Sequence, residues 1–211
     1  MRTVQVVQTP AGIETLGLSA VRHPEIRAWC QPRNATSAAS YFSELAERIA
    51  AGRRLKDGEL VGCGSWLLRF DYIDGYFVAK EASPEKESYL ARIDRAIECW
   101  RSQGEMCSRH NADFDPIGFE DRIVATPDVV DQPTVPVEGM RIVPADPKFA
   151  DLLILGPMFT GNYAEQVKTF HAYHIMDVRP ELIQYLALPR GFRFCSDGTV
   201  YFDAELTRPY N

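Results

Sequence analysis

HPEIRAWC at residues 23–30, SYFSELAERIAAG at 40–52 and RRLKDGELV at 53–61 decide the fold. Tyr41, Leu45 and Ile49 recur every four residues, and Phe42 and Ala46 widen that stripe to the breadth of a core-facing helix. Thr36 and Ser37 are placed to cap its start, and Gly52 falls where a left-handed residue ends a helix. Lys56-Asp57-Gly58 is turn chemistry, and LVGCGSWLLRF at 60–70 follows as a strand. Strand, helix, turn, strand is a scaffold, and no reactive group stands out in it.

Toward the N-terminus, Thr3 to Gln8 alternates as a first strand, stopped by Pro10 and Gly12. Ile13 to Val21 gives a second strand and Glu25 to Cys30 a third. Toward the C-terminus, Asp71 to Gly75 reads as a hairpin turn and Tyr76 to Lys80 as the return strand. Ser83-Pro84 then opens the longest helix, with Glu85 and Glu87 at the positive end of its dipole. Tyr89, Leu90, Ile93, Ile97 and Trp100 form its apolar stripe and Gly104 ends it, which makes Trp100 a core residue.

From His110 to Met140 the character changes. Prolines stand at 116, 127, 133 and 136, acids at Asp113, Asp115, Glu120, Asp121, Asp128, Asp131 and Glu138, and no Lys or Arg lies between Arg122 and Arg141. Two readings fit: a solvated linker, or carboxylates that meet a basic patch on a partner protein and raise its on-rate. In the final third, Asp146-Pro147 can start a short helix, and Leu152 to Leu155 is a buried run of open type. A helix is expected from Asn162 or Tyr163 through Val167 and Phe170, and another from Pro180 with Leu182, Ile183 and Leu186. FRFCSDGTVYFD at 192–203 is a hairpin about Asp197-Gly198, pairing Cys195 with Val200 and Phe194 with Tyr201.

The whole chain, 211 residues with 45% apolar and 25% charged, has the composition of an ordinary globular protein with material for one large or two small domains. Its net charge of −6 disfavours nucleic acid as a partner and suits a basic protein surface. No run is long and apolar enough to cross a membrane, and MRTVQVVQTPAG does not read as a signal peptide. Five irregularly spaced cysteines (Cys30, Cys63, Cys99, Cys107, Cys195) fit reduced thiols in the cytoplasm better than disulfides or a zinc site.

The order HPEI, a helix ending in AAG, RLKDGELV, GSWLLRF and GYFVAKEASP resembles the N-terminal domain of Imm33-like bacterial immunity proteins, over residues 20–85. A fainter likeness to related immunity domains lies in RPELIQYLALPRGFRF at 179–194. The residues that carry the resemblance shape the fold and are not catalytic. The resemblance implies a non-catalytic antidote that binds and neutralises a cognate bacterial toxin, of the kind exchanged by contact-dependent or type VI secretion routes. It would do so by occluding the toxin's active site or its access to target. A cytoplasmic antidote further implies a toxin acting there, such as a nuclease, an NAD-consuming enzyme or another transferase.

Catalytic signatures are weak beside this. His171 and His174 form an H-x-x-H with Asp177 three residues on, which on one helix face could converge on a metal and support a small hydrolase. The motif lacks the HExxH glutamate, and Pro180 limits the helix, so packing or surface roles for the imidazoles are favoured. GCGSW, with Cys63 and Ser65, is not a nucleophile elbow, and no phosphate-binding loop is present. No cofactor is expected. The expected partner-binding residues are Asp113, Asp115, Glu120, Asp121, Asp128 and Asp131, with His171, Tyr173 and His174 as a further surface. A general protein-binding adaptor is a third reading.

The fold class expected is α+β: a mainly antiparallel sheet with two main helices in residues 1–110, an acidic Pro-rich connection at 111–140, and a smaller helix-plus-hairpin part at 141–211. Whether the two parts share one core is left open by the sequence.

Overall fold

Tyr41, Phe42, Leu45, Ala46 and Ile49 are all buried, on a helix α1 (Ala35–Ala50) whose spacing demanded it. In the computed structural model, which describes residues 4–10, 12–84, 88–146 and 150–210, this helix belongs to the first of two compact units, Met1–Arg101 and Ser102–Asn211. Thr3, Glu85, Glu87 and Pro147, on which expectations rested, lie outside the described residues. The fold is α+β, and its sheets are mostly antiparallel.

In unit 1 the strands are β1 (Gln5–Thr9), β2 (Gly12–Leu16), β3 (Glu25–Trp29), β4 (Glu59–Cys63), β5 (Trp66–Ile73), β6 (Tyr76–Ala82) and β7 (Tyr89–Leu90). They form one sheet in the order β1-β2-β3-β6-β5-β4, with β7 paired to β6. Among the described residues its one parallel pairing is β3 with β6. Ile26 and Ala28 of β3, Val61 and Cys63 of β4, Trp66, Leu68 and Phe70 of β5, and Phe77 and Ala79 of β6 are buried. The ring of Phe42 on α1 meets Phe70 at 6.3 Å, and the Tyr41 hydroxyl donates to the carbonyl of Gly62 at 2.9 Å.

The His-Pro-Glu sequence is scaffold chemistry. Buried His23 holds Pro24 O through Nδ1 at 2.7 Å and accepts from Leu55 N–H through Nε2 at 3.2 Å, and burial lowers its pKa. That pattern fixes a neutral imidazole protonated on Nδ1. Glu25 accepts from the N–H groups of Gly17 and Ser19 and from the Thr15 hydroxyl, closing the turn before β3.

Several local expectations shift. α1 starts at Ala35, so Thr36 and Ser37 lie inside it and do not cap it. LVGCGSWLLRF is two strands joined at Gly64-Ser65, the first leg of a meander that continues through Asp74-Gly75 (φ 49° and 87°). The second helix, α2 (Asp94–Arg109), begins ten residues after Pro84 and runs past Gly104. Tyr89 and Leu90 pair as a strand with Ala82 and Glu81, because a spacing of four residues between Tyr89 and Ile93 suits a helix without requiring one. Buried Glu81 accepts from the Ala96 N–H at 3.0 Å at the start of α2. The division between the units falls within α2.

Unit 2 contains β8 (Arg122–Ala125), α3 (Asp128–Asp131), β9 (Glu138–Arg141), β10 (Val143–Pro144), β11 (Leu152–Leu155), α4 (Tyr163–Gln166), β12 (Lys168–His171), α5 (Ala172–Val178), a 3-10 segment Pro180–Tyr185, β13 (Phe192–Cys195), β14 (Val200–Phe202) and β15 (Pro209–Tyr210). Six of the strands form a sheet in the order β12-β8-β11-β9-β13-β14, and β10 pairs with β15. The Pro-rich stretch expected as a connection therefore supplies β8 and β9 to the interior of a sheet, with Ile123, Ala125, Val137 and Met140 buried.

Leu152–Leu155 is a strand buried at every position, which explains its lack of period: both faces are covered. Leu153, Leu155, Met140, Ile142 and Leu206 cluster with Val124, Phe159, Tyr163 and Val167. The alternate positions put Leu152 opposite Arg141, and Ile154 opposite Ala125 and Gly139. The expected helix from Tyr163 to Phe170 stops at Gln166, and Lys168–His171 is an edge strand on β8. The C-terminal hairpin has a longer loop than Asp197-Gly198 alone. Phe194 pairs with Val200 and Arg193 with Tyr201, one residue from the expected register.

Candidate functional site

Irregular segments in a packed unit need partners for their backbone carbonyls. Unit 2 supplies them with two buried arginines, each 2% exposed. Arg141 on β9 donates through Nη1 to the carbonyls of Asp115 (3.0 Å), Leu186 (3.4 Å) and Leu188 (2.6 Å), and through Nη2 to the carboxylates of Asp115 and Asp151 (both 3.2 Å). Arg179 donates to Val129 O and Val135 O and pairs with Glu181 at 2.6 Å. In the sequence Arg141 stands out only as the end of a stretch without bases, and Arg179 only as the first residue of RPELIQYLALPRGFRF. The one signal available was that a long stretch without bases ends on an arginine.

The acidic residues sort accordingly. Asp113, Asp115, Glu120, Asp121 and Asp131 are exposed. Asp115 remains open to solvent on one side while its carboxylate is held by Arg141. Asp128 is different: it is 2% exposed, and its Oδ2 accepts from the Met158 N–H at 3.0 Å, so it is an interior group and not part of an acidic surface.

The β8–β12 pairing brings two of the expected groups together across fifty residues of chain. His171 Nδ1 lies 2.8 Å from Glu120 O, Ala172 N–H donates to Asp121 O at 2.8 Å, and Tyr173 N–H donates to Phe119 O at 3.1 Å. Rings follow the same seam. Phe119 stacks on Tyr173 at 5.3 Å, Tyr173 stacks on His171 at 5.4 Å, and His174 sits 4.2 Å from Tyr173. Glu120, Asp121, His171 and His174 are exposed along it, and exposed Arg122 stands opposite His171 in the strand register. The Asp121 carboxylate accepts from the Gly118 N–H and fixes the loop that presents Glu120. Asp113 and Asp131 are not among the contacts that build this seam. Phe119 was not singled out from sequence, since nothing local marks a loop phenylalanine as the base of an aromatic stack.

The seam combines aromatic faces backed by the buried ring of Phe119 with exposed carboxylates and imidazoles beside them, the residue types that contact surfaces use. It does not assemble a metal site. His171 ends a strand while His174 and Asp177 are on α5, so the three share no helix face, and among the described residues no three His, Cys, Asp or Glu side chains are grouped to hold a metal ion. Nucleophiles fare no better. Burial pushes the thiol of Cys63 well up and that of Cys99 up to about 12, which keeps both protonated, and Ser65 is buried in a turn.

Unit 2 is thus an α+β unit that carries an acidic and aromatic seam on its surface. Residues 102–204 match the Imm33-like domain family, a span just under half of the chain and nearly all of unit 2. The family resembled in sequence is thus the one whose model matches, over most of the second unit. Its place differs: the match includes RPELIQYLALPRGFRF and the acidic stretch, and excludes residues 20–85. No curated protein and no solved structure matches the chain. Among the described residues no helix is long and apolar enough to cross a membrane.

Proposed function

We propose that this chain is a non-catalytic immunity protein that binds a cognate bacterial toxin and blocks its active site or its access to target. The observation that carries the reading is the Imm33-like match over unit 2, the unit that also holds the seam. Supporting it, the seam offers Tyr173 as an aromatic anchor and Glu120 and Asp121 as charges for a basic toxin surface, in keeping with the net charge of −6. Asp113, Asp115 and Asp131 add to the field of the same unit. The free cysteines suit a cytoplasmic antidote, and so a toxin whose target is in the cytoplasm.

The experiment is co-expression of the tagged chain with the product of the adjacent gene. A stable complex, and killing when this chain is omitted, is the expected result. A neighbour that neither binds nor kills sinks the reading. Within a complex, Glu120→Lys with Asp121→Lys should slow association about tenfold or more at low salt and less at high salt. Tyr173→Ala should accelerate dissociation.

A further inference from the structure

Among the described residues, the six-stranded sheet of unit 2 ends on β12 at one edge and on β14 at the other. β12 borders the seam and carries exposed Lys168, a charge of the kind that blunts an edge against further pairing. β14 has no such guard. From Thr199 to Phe202 the sequence is TVYF, without charge, proline or glycine and in residue types that favour strands. Tyr201 is 46% exposed and Phe202 56%, and as neighbours in a strand they stand on opposite faces.

The backbone of that edge is open as well. Antiparallel strands alternate residue pairs that exchange both hydrogen bonds with pairs that exchange none. Cys195 N–H donates to Thr199 O at 2.8 Å and Asp203 N–H to Gly191 O at 2.7 Å, so Thr199, Tyr201 and Asp203 are the positions bonded toward β13. Val200 and Phe202 fall between them, and their N–H and C=O groups point away from β13. Among the described residues no strand pairs on that side. Open donors and acceptors in line, flanked by exposed apolar side chains, are a template for one more strand.

The register of β14 fits a second copy of itself. An antiparallel copy centred on Tyr201 sets Val200 against the second copy's Phe202, and Phe202 against its Val200. That register hydrogen-bonds every one of the open groups across a two-fold axis. Side chains agree with it. Val200 and Phe202 share the face on which Phe192 meets Phe202 edge-on at 5.5 Å, so both cross-strand pairs extend an apolar layer. Tyr201 meets its own copy on the other face, and the single charge within residues 199–203, Asp203, meets Thr199. We infer that β14 is a self-association surface, through which two copies of the chain pair antiparallel about Tyr201 and join their unit 2 sheets into one. The seam lies at the opposite edge of each sheet, so the assembly presents it at both ends. The inference does not depend on what the seam binds.

A strand pair this short buries less than a standard interface, so a dimer Kd on the order of 100 µM is expected. The test is sedimentation of the full chain from about tenfold below to about tenfold above that concentration, with hydrogen exchange read at single amides. The mass should rise from that of one chain toward that of two. At the top concentration the amides of Val200 and Phe202 should exchange about fivefold more slowly, and that of Tyr201, already bonded to β13, should not change. Tyr201→Lys sets like charges together on the axis and should weaken association about tenfold or more, as should Tyr201→Glu, while an equimolar mixture of the two variants should restore it. Val200→Pro removes an outward N–H that β13 does not use and should abolish the concentration dependence. Exchange at Leu152–Leu155 shows whether each variant has folded, and the unsubstituted chain decides the matter if none does. A chain that stays single at the top concentration overturns the inference. So does a dimer in which Val200 and Phe202 exchange as fast as in the monomer. Protection of those amides only when a co-expressed partner is bound would also overturn it, by giving the edge to a strand of that partner. The immunity reading stands or falls on the co-expression experiment alone.

Discussion

Unit 1 buries acids, whereas unit 2 buries two guanidinium groups beside the one acid Asp128, among the described residues, and the difference follows from which backbone groups each leaves open. Unit 1 buries carboxylates. Glu81 accepts from the first turn of α2, and Asp94 accepts from Gln31 N–H and from the Asn34 amide at 2.8 Å each. A helix start leaves N–H groups without partners, and an acid answers them. Unit 2 buries guanidinium groups, Arg141 and Arg179, against carbonyls of Pro-interrupted segments that no ladder satisfies. A regular meander needs charge only at its helix junction. An irregular unit needs it throughout, and becomes dependent on single side chains.

The comparison is most easily broken at Arg141. Arg141→Met keeps the bulk and removes every donor, leaving carbonyls of Asp115, Leu186 and Leu188 and two carboxylates without this partner. A loss of about 3–5 kcal/mol is expected. All three tryptophans (Trp29, Trp66, Trp100) precede residue 102, so their fluorescence follows unit 1. Hydrogen exchange at Leu152–Leu155 follows unit 2 and should accelerate sharply in this variant. Unchanged exchange there would mean that other contacts hold these segments.

Glu81 tests the opposite sign. Burial raises its pKa from 4.5 to about 7, against the pull of the Ala96 and Arg95 N–H groups. The folded state therefore holds the proton more tightly than the unfolded chain. The stability this gives is complete below about pH 4.5 and is lost as pH rises through 7, an amount on the order of 3 kcal/mol. Glu81→Gln retains an acceptor and cannot ionise, so urea midpoints read by tryptophan fluorescence should lose that slope between pH 5 and 8. A slope that survives the substitution would place the titrating group elsewhere.

Legibility divides along the same line. The α1 stripe and the Asp74-Gly75 hairpin could be read because one face of each element meets the core and the other meets water. β11 could not, since burial on both faces erases the period. Lys168–His171 was read as helix because pairing with β8, remote in sequence, overrides a local pattern. The seam inherits this: Glu120 and His171 are legible as polar residues but not as neighbours. Asp128 was read with the solvated acids because nothing in DQP-rich sequence tells a buried carboxylate from an exposed one. Family likeness was legible, yet it was placed on the regular half, where turn and helix signals are strongest, and the match lies on the irregular half.

Two strand glycines offer the finest comparison, since neither needs a left-handed backbone. Gly139 on β9 lies opposite Phe194, and an added Cβ would stand 2.0 Å from Cζ of that ring and 2.3 Å from Cε1. The ring is fully buried and stacks on Tyr185 at 4.5 Å, so it has no exit, and Gly139→Ala should destabilise unit 2 by about 1–3 kcal/mol or more. Gly62 on β4 meets nothing nearer than Gly64 O at 3.6 Å, an ordinary contact, and its carbonyl bond from Tyr41 needs no change. Gly62→Ala should shift unit 1 by no more than about 0.5–1 kcal/mol, toward greater stability, because alanine restricts the unfolded chain. The pair is informative together. If both substitutions destabilised equally, the close packing of Phe194 on a bare backbone would not be what sets the two units apart, and simple loss of strand flexibility would explain them both.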